Sequence, residues 1–155
     1  MTRPVSVARR HPRLRIGRGS VGRAVRVLDA SAASLGGGCP PGELSVAFVT
    51  DGALARLHMR FLGDPAPTDV ITFGGDAGHA SAGEICVSAD AAARRAGRGQ
   101  AALSRELALY VVHGWLHLAG YDDRDARSRR SMRAAEARAM RILSRAGALP
   151  RFKLA

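Results

Sequence analysis

The sequence predicts an α+β fold in a single domain spanning residues 1–155: a small mixed β-sheet of three to four strands backed by helices, with the reactive groups on a central helix and the loop that follows it. Three observations carry this. Leu44, Val46 and Phe48 alternate with smaller or polar residues as a half-buried strand does, and Val70-Ile71-Thr72-Phe73 and Glu84-Ile85-Cys86-Val87 read as two further strands. Segments with helical period lie between and after these strands in a mixed order. A length of 155 residues with 46% hydrophobic content suits one domain with its own core.

Taken in chain order, a basic leader precedes a short helix in which Ser20 is a candidate cap and Val21, Val25 and Leu28 share a face. Gly36-Gly37-Gly38-Cys39-Pro40-Pro41-Gly42 breaks the chain before the strand from Glu43 to Val49. Thr50 or Asp51 can cap a helix from Gly52 to Phe61. The strands around Val70 and Ile85 are joined by a loop from Gly74 to Gly83, and Ser88 opens an Ala- and Arg-rich helix reaching Arg98. The run from about Arg105 to Ala119 holds Leu107, Leu109, Val111 and Val112 with no Pro, and no Gly before Gly114, so it reads as the central helix. A long basic helix follows from about Arg124 to Arg145, with Met132, Ala135, Ala139, Ile142 and Leu143 inward and Gly147 and Pro150 as its stop.

The chemistry concentrates in His113-Gly114-Trp115-Leu116-His117-Leu118-Ala119-Gly120-Tyr121-Asp122-Asp123. Two histidines four apart on a helix share a face, with Cβ atoms about 5–6 Å apart, so both imidazoles can reach one ion. Gly120 supplies a left-handed turn that brings back a carboxylate, and Asp123 rather than Asp122 is taken as the third ligand. Three protein ligands with an open fourth position characterise catalytic rather than structural zinc. In the usual helical zinc-protease motif the residue after the first His is a Glu; here it is Gly114, which argues against peptide hydrolysis.

The formal net charge is +11, and it is unevenly spread. Residues 1–28 carry eight Arg and no acid, and residues 124–145 carry eight Arg against two acids, whereas 29–123 hold six Arg against eleven acids. Basic ends flanking an acidic middle point to a polyanionic partner, RNA or DNA, although Arg-rich codon composition would also yield such a chain. An aromatic content of 5% disfavours a broad base-stacking surface. Cys39 and Cys86 form no pair motif, no apolar run reaches the length of a membrane span, and the twin arginine Arg9-Arg10 lacks an apolar segment after it. The expectation is a cytoplasmic protein with reduced thiols and no membrane association.

The stretch from His113 to Asp123 reproduces a His-Gly-x-Leu-His-Leu-x-Gly-Tyr-Asp signature followed by a third ligand. Pro67-Thr68-Asp69-Val70-Ile71-Thr72-Phe73 is close to a Pro-Thr-Asp-Val-Leu-Ser-Phe block, and Gly83-Glu84-Ile85 to a Gly-Asp-Ile strand start. In these blocks, in this order, the chain resembles the YbeY family of bacterial metal-dependent endoribonucleases, from about Leu44 to Arg145; residues 1–43 match only loosely. The resemblance implies cleavage of single-stranded RNA, a role in 16S ribosomal RNA maturation and ribosome quality control, and one zinc ion held by His113, His117 and Asp123. It also implies small-subunit ribosomal RNA and the ribosome, or a small-subunit ribosomal protein, as partners.

Two departures from the family pattern stand out. The third ligand is most often His in the family; Asp123 lowers the charge of the site, weakens the ion as a Lewis acid and makes manganese or another divalent ion more acceptable. The family often carries an Arg six residues before the Thr of its Thr-Asp pair, where this chain has Leu62. Arg60, two residues earlier, is the only side-chain candidate for a catalytic role beyond the metal-bound water. The competing functional readings are a non-catalytic ribosome-assembly factor with a structural metal, and another zinc hydrolase such as a peptidase. Asp69 is read as a turn former that could also orient a ligand histidine. Asp122 is read as a cap or solvent contact as readily as a metal ligand, Trp115 and Tyr121 as core or wall of the site, His11, His58 and His79 as surface residues, and Arg94, Arg95 and Arg98 as a solvated helix face that could extend an RNA surface.

Overall fold

The computed structural model describes residues 2–155. Its centre is a four-stranded mixed sheet in the order β1-β3-β5-β4. β1 (Val5–Arg9), β3 (Glu43–Val49) and β5 (Ser81–Ser88) run parallel, and β4 (Val70–Asp76) lies antiparallel to β5 at the edge. The inner strands β3 and β5 are the most apolar because both of their faces are covered. On one face Leu44, Val46, Phe48, Ile85 and Val87 join the main core with residues of α1 (Ser20–Ala30), α4 (Gln100–Leu118) and α5 (Ala126–Arg145). On the other, Ala47, Val49, Ile71 and Cys86 form a smaller cluster with Leu54 of α2 (Asp51–Leu62). α3 (Ala89–Ala96) follows β5 directly, and β2 (Leu14–Ile16) pairs antiparallel with β6 (Phe152–Leu154) to tie the two ends of the chain together.

Several local expectations need correction. The basic leader, to which the sequence assigned no element, holds β1 and β2, and β1 is largely exposed. Gly74 to Gly83 is not a loop. β4 continues to Asp76 and β5 starts at Ser81, and a Cβ at Gly75 would lie 2.0 Å from the Ser81 carbonyl oxygen, so this glycine serves close backbone approach inside a hairpin. Ser20 does not cap α1: Gly19 occupies the cap position, and the Ser20 hydroxyl accepts from the Arg151 amide at 3.2 Å. Thr50 caps α2 and Ser88 caps α3, each through its hydroxyl. α4 begins at Gln100, ahead of Arg105, and α5 at Ala126, where Asp125 and Ser128 cap each other's amides. Among the described residues no helix is long and apolar enough to cross a membrane.

α4 lies against β5 at a distance set by Gly114. A Cβ there would sit 2.5 Å from Ile85 Cγ2, so the position opposite the sheet admits hydrogen only. That contact fixes the rotation of α4 and turns His113 and His117 away from the core.

Candidate metal centre

His113 and His117 stand one helical turn apart with ring centroids 4.6 Å apart and planes at 80°. Each ring is held by its Nδ1. His113 Nδ1 lies 2.6 Å from Glu136 Oε2 on α5, and His117 Nδ1 lies 3.1 Å from the Tyr121 carbonyl oxygen. Both partners are acceptors, so both Nδ1 atoms donate and both Nε2 atoms present lone pairs in the neutral rings. Those two lone pairs converge, with the Nε2 atoms 3.0 Å apart.

The third donor arrives through the turn after α4. Gly120 adopts φ +110°, and the Tyr121 amide closes back onto the Leu116 carbonyl at 2.9 Å. This places Asp123 Oδ2 3.4 Å from His117 Nε2 and 3.6 Å from His113 Nε2. Tetrahedral ligands about 2.0–2.1 Å from an ion stand roughly 3.4 Å from one another, so the three donor atoms fit a single metal ion. Without a cation the arrangement would leave two imidazole lone pairs and a carboxylate facing one another. Burial works against protonation of His113, yet the hydrogen bond and charge of Glu136, helped by Asp123 and Asp69, outweigh it and raise the pKa above the ordinary imidazole value.

The group opens into a cleft of about 440 Å³ that runs over the edge strand β4. His113, His117 and Asp123 form one side; His58 and Leu62 of α2 form the other, with Thr68 to Thr72 between them. Asp123 is the most exposed of the three donors, with 42% of its side chain accessible against 22% and 27% for the histidines, and all three line the cleft.

The remaining candidates are distributed as follows. Arg60 lies outside the cleft lining, its guanidinium 5.3 Å from the centre of the Phe61 ring, while Leu62 lines the cleft. Asp69 does not orient a histidine; its carboxylate pairs with Arg95 at 3.1 Å and its carbonyl accepts from the Ser88 amide. Asp122 points outward and accepts from the Asp123 amide. His11 is not a surface residue: it is 3% exposed and bonded to Asp90 at 2.7 Å. His58 lines the cleft with Nδ1 on the Ala66 carbonyl, whereas His79 is exposed. Trp115 is buried and donates to Asp29, and Tyr121 donates to the Leu35 carbonyl, which anchors the turn that carries Asp123. Arg94 pairs with Asp51, and Arg98 is exposed. Glu136 is the residue that sequence reasoning missed. Its one signal was being the sole acid between Ala126 and Arg145.

Fold and site together define a class: a small α+β protein with a His-His-Asp group that could hold a metal ion, open to a cleft, the kind of arrangement used for metal-assisted hydrolysis. The family profile of endoribonuclease YbeY matches residues 22–144, and the chain belongs to that family. It is 39% identical to endoribonuclease YbeY of Moorella thermoacetica, across 79% of this chain and 83% of that protein. It is 38% identical to endoribonuclease YbeY of Pelotomaculum thermopropionicum, across 61% of this chain and 67% of that protein. The solution structure of the Thermotoga maritima protein TM1509 shares the fold at a TM-score of 0.55, with 21% identity over 91% of this chain and 90% of that one.

Proposed function

We propose that this chain is a metal-dependent endoribonuclease that cleaves single-stranded segments of small-subunit ribosomal RNA during its maturation, with His113, His117 and Asp123 holding one divalent ion. The observation that carries the reading is the convergence of two imidazole lone pairs and one carboxylate at the mouth of an open cleft. Membership of the YbeY family supports the reaction class, and the family resemblance supports ribosomal RNA as substrate and a small-subunit ribosomal protein as partner. Zinc suits two imidazoles and a carboxylate, and manganese is the alternative that the oxygen donor favours.

When bound, such an ion polarises a phosphoryl oxygen and acidifies water beside it. The chain's own residues do the rest. Glu136 and the Tyr121 carbonyl hold the two rings with Nε2 outward, and the Gly120 turn brings the carboxylate in. Exposed Arg124, Arg127 and Arg130 follow directly on Asp123 and offer charge for the flanking phosphates. Asp69 is engaged by Arg95 and Asp123 by the histidines, so no carboxylate lining the cleft is left uncommitted as a base. The nucleophile is read as water: its oxygen bonds to phosphorus as the bond from phosphorus to the leaving ribose oxygen breaks, the water gives up one proton to solvent and the leaving oxygen takes one from solvent, so the products are a phosphate monoester and a free ribose hydroxyl.

The test is cleavage of a single-stranded ribosomal RNA fragment by the purified chain with and without a chelator, alongside the metal content of wild type and Asp123→Ala. The variant is expected to stay folded, bind RNA and lose both stoichiometric metal and cleavage. Full metal and full cleavage in Asp123→Ala would overturn the ligand assignment. Loss of cleavage when the nucleotide before the cut is made 2′-deoxy would overturn water as nucleophile.

A further inference from the structure

The end of α2 exposes more apolar surface than its fold needs. Among the described residues four large hydrophobic side chains stand exposed, and three of them lie together: Met59 at 52%, Phe61 at 57% and Leu62 at 59%. α2 gives the core only one fully buried residue, Leu54, so its last turn is not holding the helix down. Phe61 is nonetheless fixed in place, edge-on to Phe73 with centroids 5.4 Å apart and with the Arg60 guanidinium over its ring. It is also the only exposed residue among the chain's four Phe, two Tyr and one Trp.

Its place decides what the patch is for. Leu62 lines the cleft opposite His113, His117 and Asp123, and the floor between the two sides is the edge strand β4. A chain that sets a phosphate at the three donors must cross β4 and pass the lip formed by the end of α2. Arg56 and Arg60 on that helix are exposed, and among the described residues neither forms an ion pair, so they match a polyanion. Aromatic rings beside basic side chains bind unpaired nucleotides by stacking, which needs no particular base.

We infer that Phe61 is a stacking platform for an unpaired base of the RNA next to the cut, rimmed by Met59 and Leu62; this rests on the cleft being the RNA site proposed above. A base in a duplex is not free to stack there, so the platform selects single strands.

The test measures RNA affinity in the Asp123→Ala background, where no cleavage interferes, for Phe61, Phe61→Ala and Phe61→Trp against RNAs with an abasic site scanned through the cut region. Phe61→Ala is expected to weaken binding about 5- to 150-fold, the span covered by losing one base–aromatic stack, and Phe61→Trp to restore it. One abasic position should cost wild-type Phe61 the same loss and cost Phe61→Ala nothing further. Equal affinity for Phe61→Ala and its parent, or fully additive losses, would overturn the inference. Wild-type protein that binds RNA through Phe61 but never cuts it would overturn the cleavage reading alone.

Discussion

Glu136 reaches from α5 to place Oε2 2.6 Å from Nδ1 of His113, so the helix that carries most of the local positive charge also carries the one acid that orients a histidine of the donor group. A carboxylate behind a ligating imidazole fixes its tautomer and raises its basicity, and losing such a partner typically costs about 10- to 100-fold in metal affinity. Glu136→Ala should show that loss in a chelator competition, with Glu136→Gln in between because its amide oxygen still accepts the hydrogen bond. Unchanged affinity in both would mean the ring is held by its helix alone.

Gly114 is a packing residue as much as a signature residue. A methyl group there would fall 2.5 Å from Ile85 Cγ2 and 2.9 Å from its Cγ1, on a β-strand buried at the centre of the sheet. Overpacking of this kind costs about 1–3 kcal/mol. Gly114→Ala should therefore lower the urea midpoint, and pairing it with Ile85→Ala should give a double variant more stable than the sum of the two single losses, because the second change vacates the space the first requires. Strictly additive losses would locate the damage elsewhere.

A second polar cluster links the starts of α2 and α3. The Arg94 guanidinium and the Ser88 hydroxyl hold the Asp51 carboxyl below the ordinary carboxylate range. Burial opposes ionisation of Asp90, but the Asp51 amide and His11 outweigh it and depress that pKa as well. A depressed carboxylate pKa adds stability that is present above the unfolded value of about 3.9 and drains away as pH falls through the folded value. Urea midpoints should fall as the pH is lowered from 5 towards 3, and Asp90→Asn should flatten part of that slope while lowering stability at neutral pH. An identical slope in the variant would remove Asp90 from the acid response.

The donor atoms of His113, His117 and Asp123 lie within 4.8 Å of one another because the group is local: residues 113 to 123 occupy one helix and one turn, and a four-residue period with a glycine stop dictates the placement of all three side chains. The strands around Val46, Ile71 and Ile85 were legible for the same reason, since their burial imposes its pattern on consecutive residues. What escaped was long-range. Glu136 meets His113 only because α5 packs on α4, and His11 meets Asp90 only because the leader runs beside the sheet. β1 stayed hidden because its partner in register is Leu44 to Phe48, while Ser6, Val7 and Arg9 are exposed and only Val5 and Ala8 pack against the core. Gly75 fell within the expected loop because only the pairing of β4 with β5 reveals the carbonyl that excludes a Cβ there.

Leu62 sits on the cleft wall where the resembling family often carries an arginine, and the structure leaves room for one: its side chain is 59% exposed at the end of α2, across from the metal donors. Gly63 behind it ends the helix at φ +64° and would be untouched by the exchange. An arginine at this position would point its guanidinium along the cleft toward the phosphate path. Each cation that pairs with a phosphate of a single strand releases counterions and steepens the slope of log affinity against log salt by about 0.7. Leu62→Arg is therefore expected to bind single-stranded RNA more tightly at low salt, with the slope steeper by about that amount and the advantage fading as salt rises. Because a cation beside the reacting phosphate also offsets charge that builds up in the transition state, the rate of cleavage should rise along with affinity. Tighter binding with an unchanged salt slope would mean that the new side chain packs on Phe61 instead of meeting a phosphate, and that Leu62 lines the cleft without facing the strand that is cut.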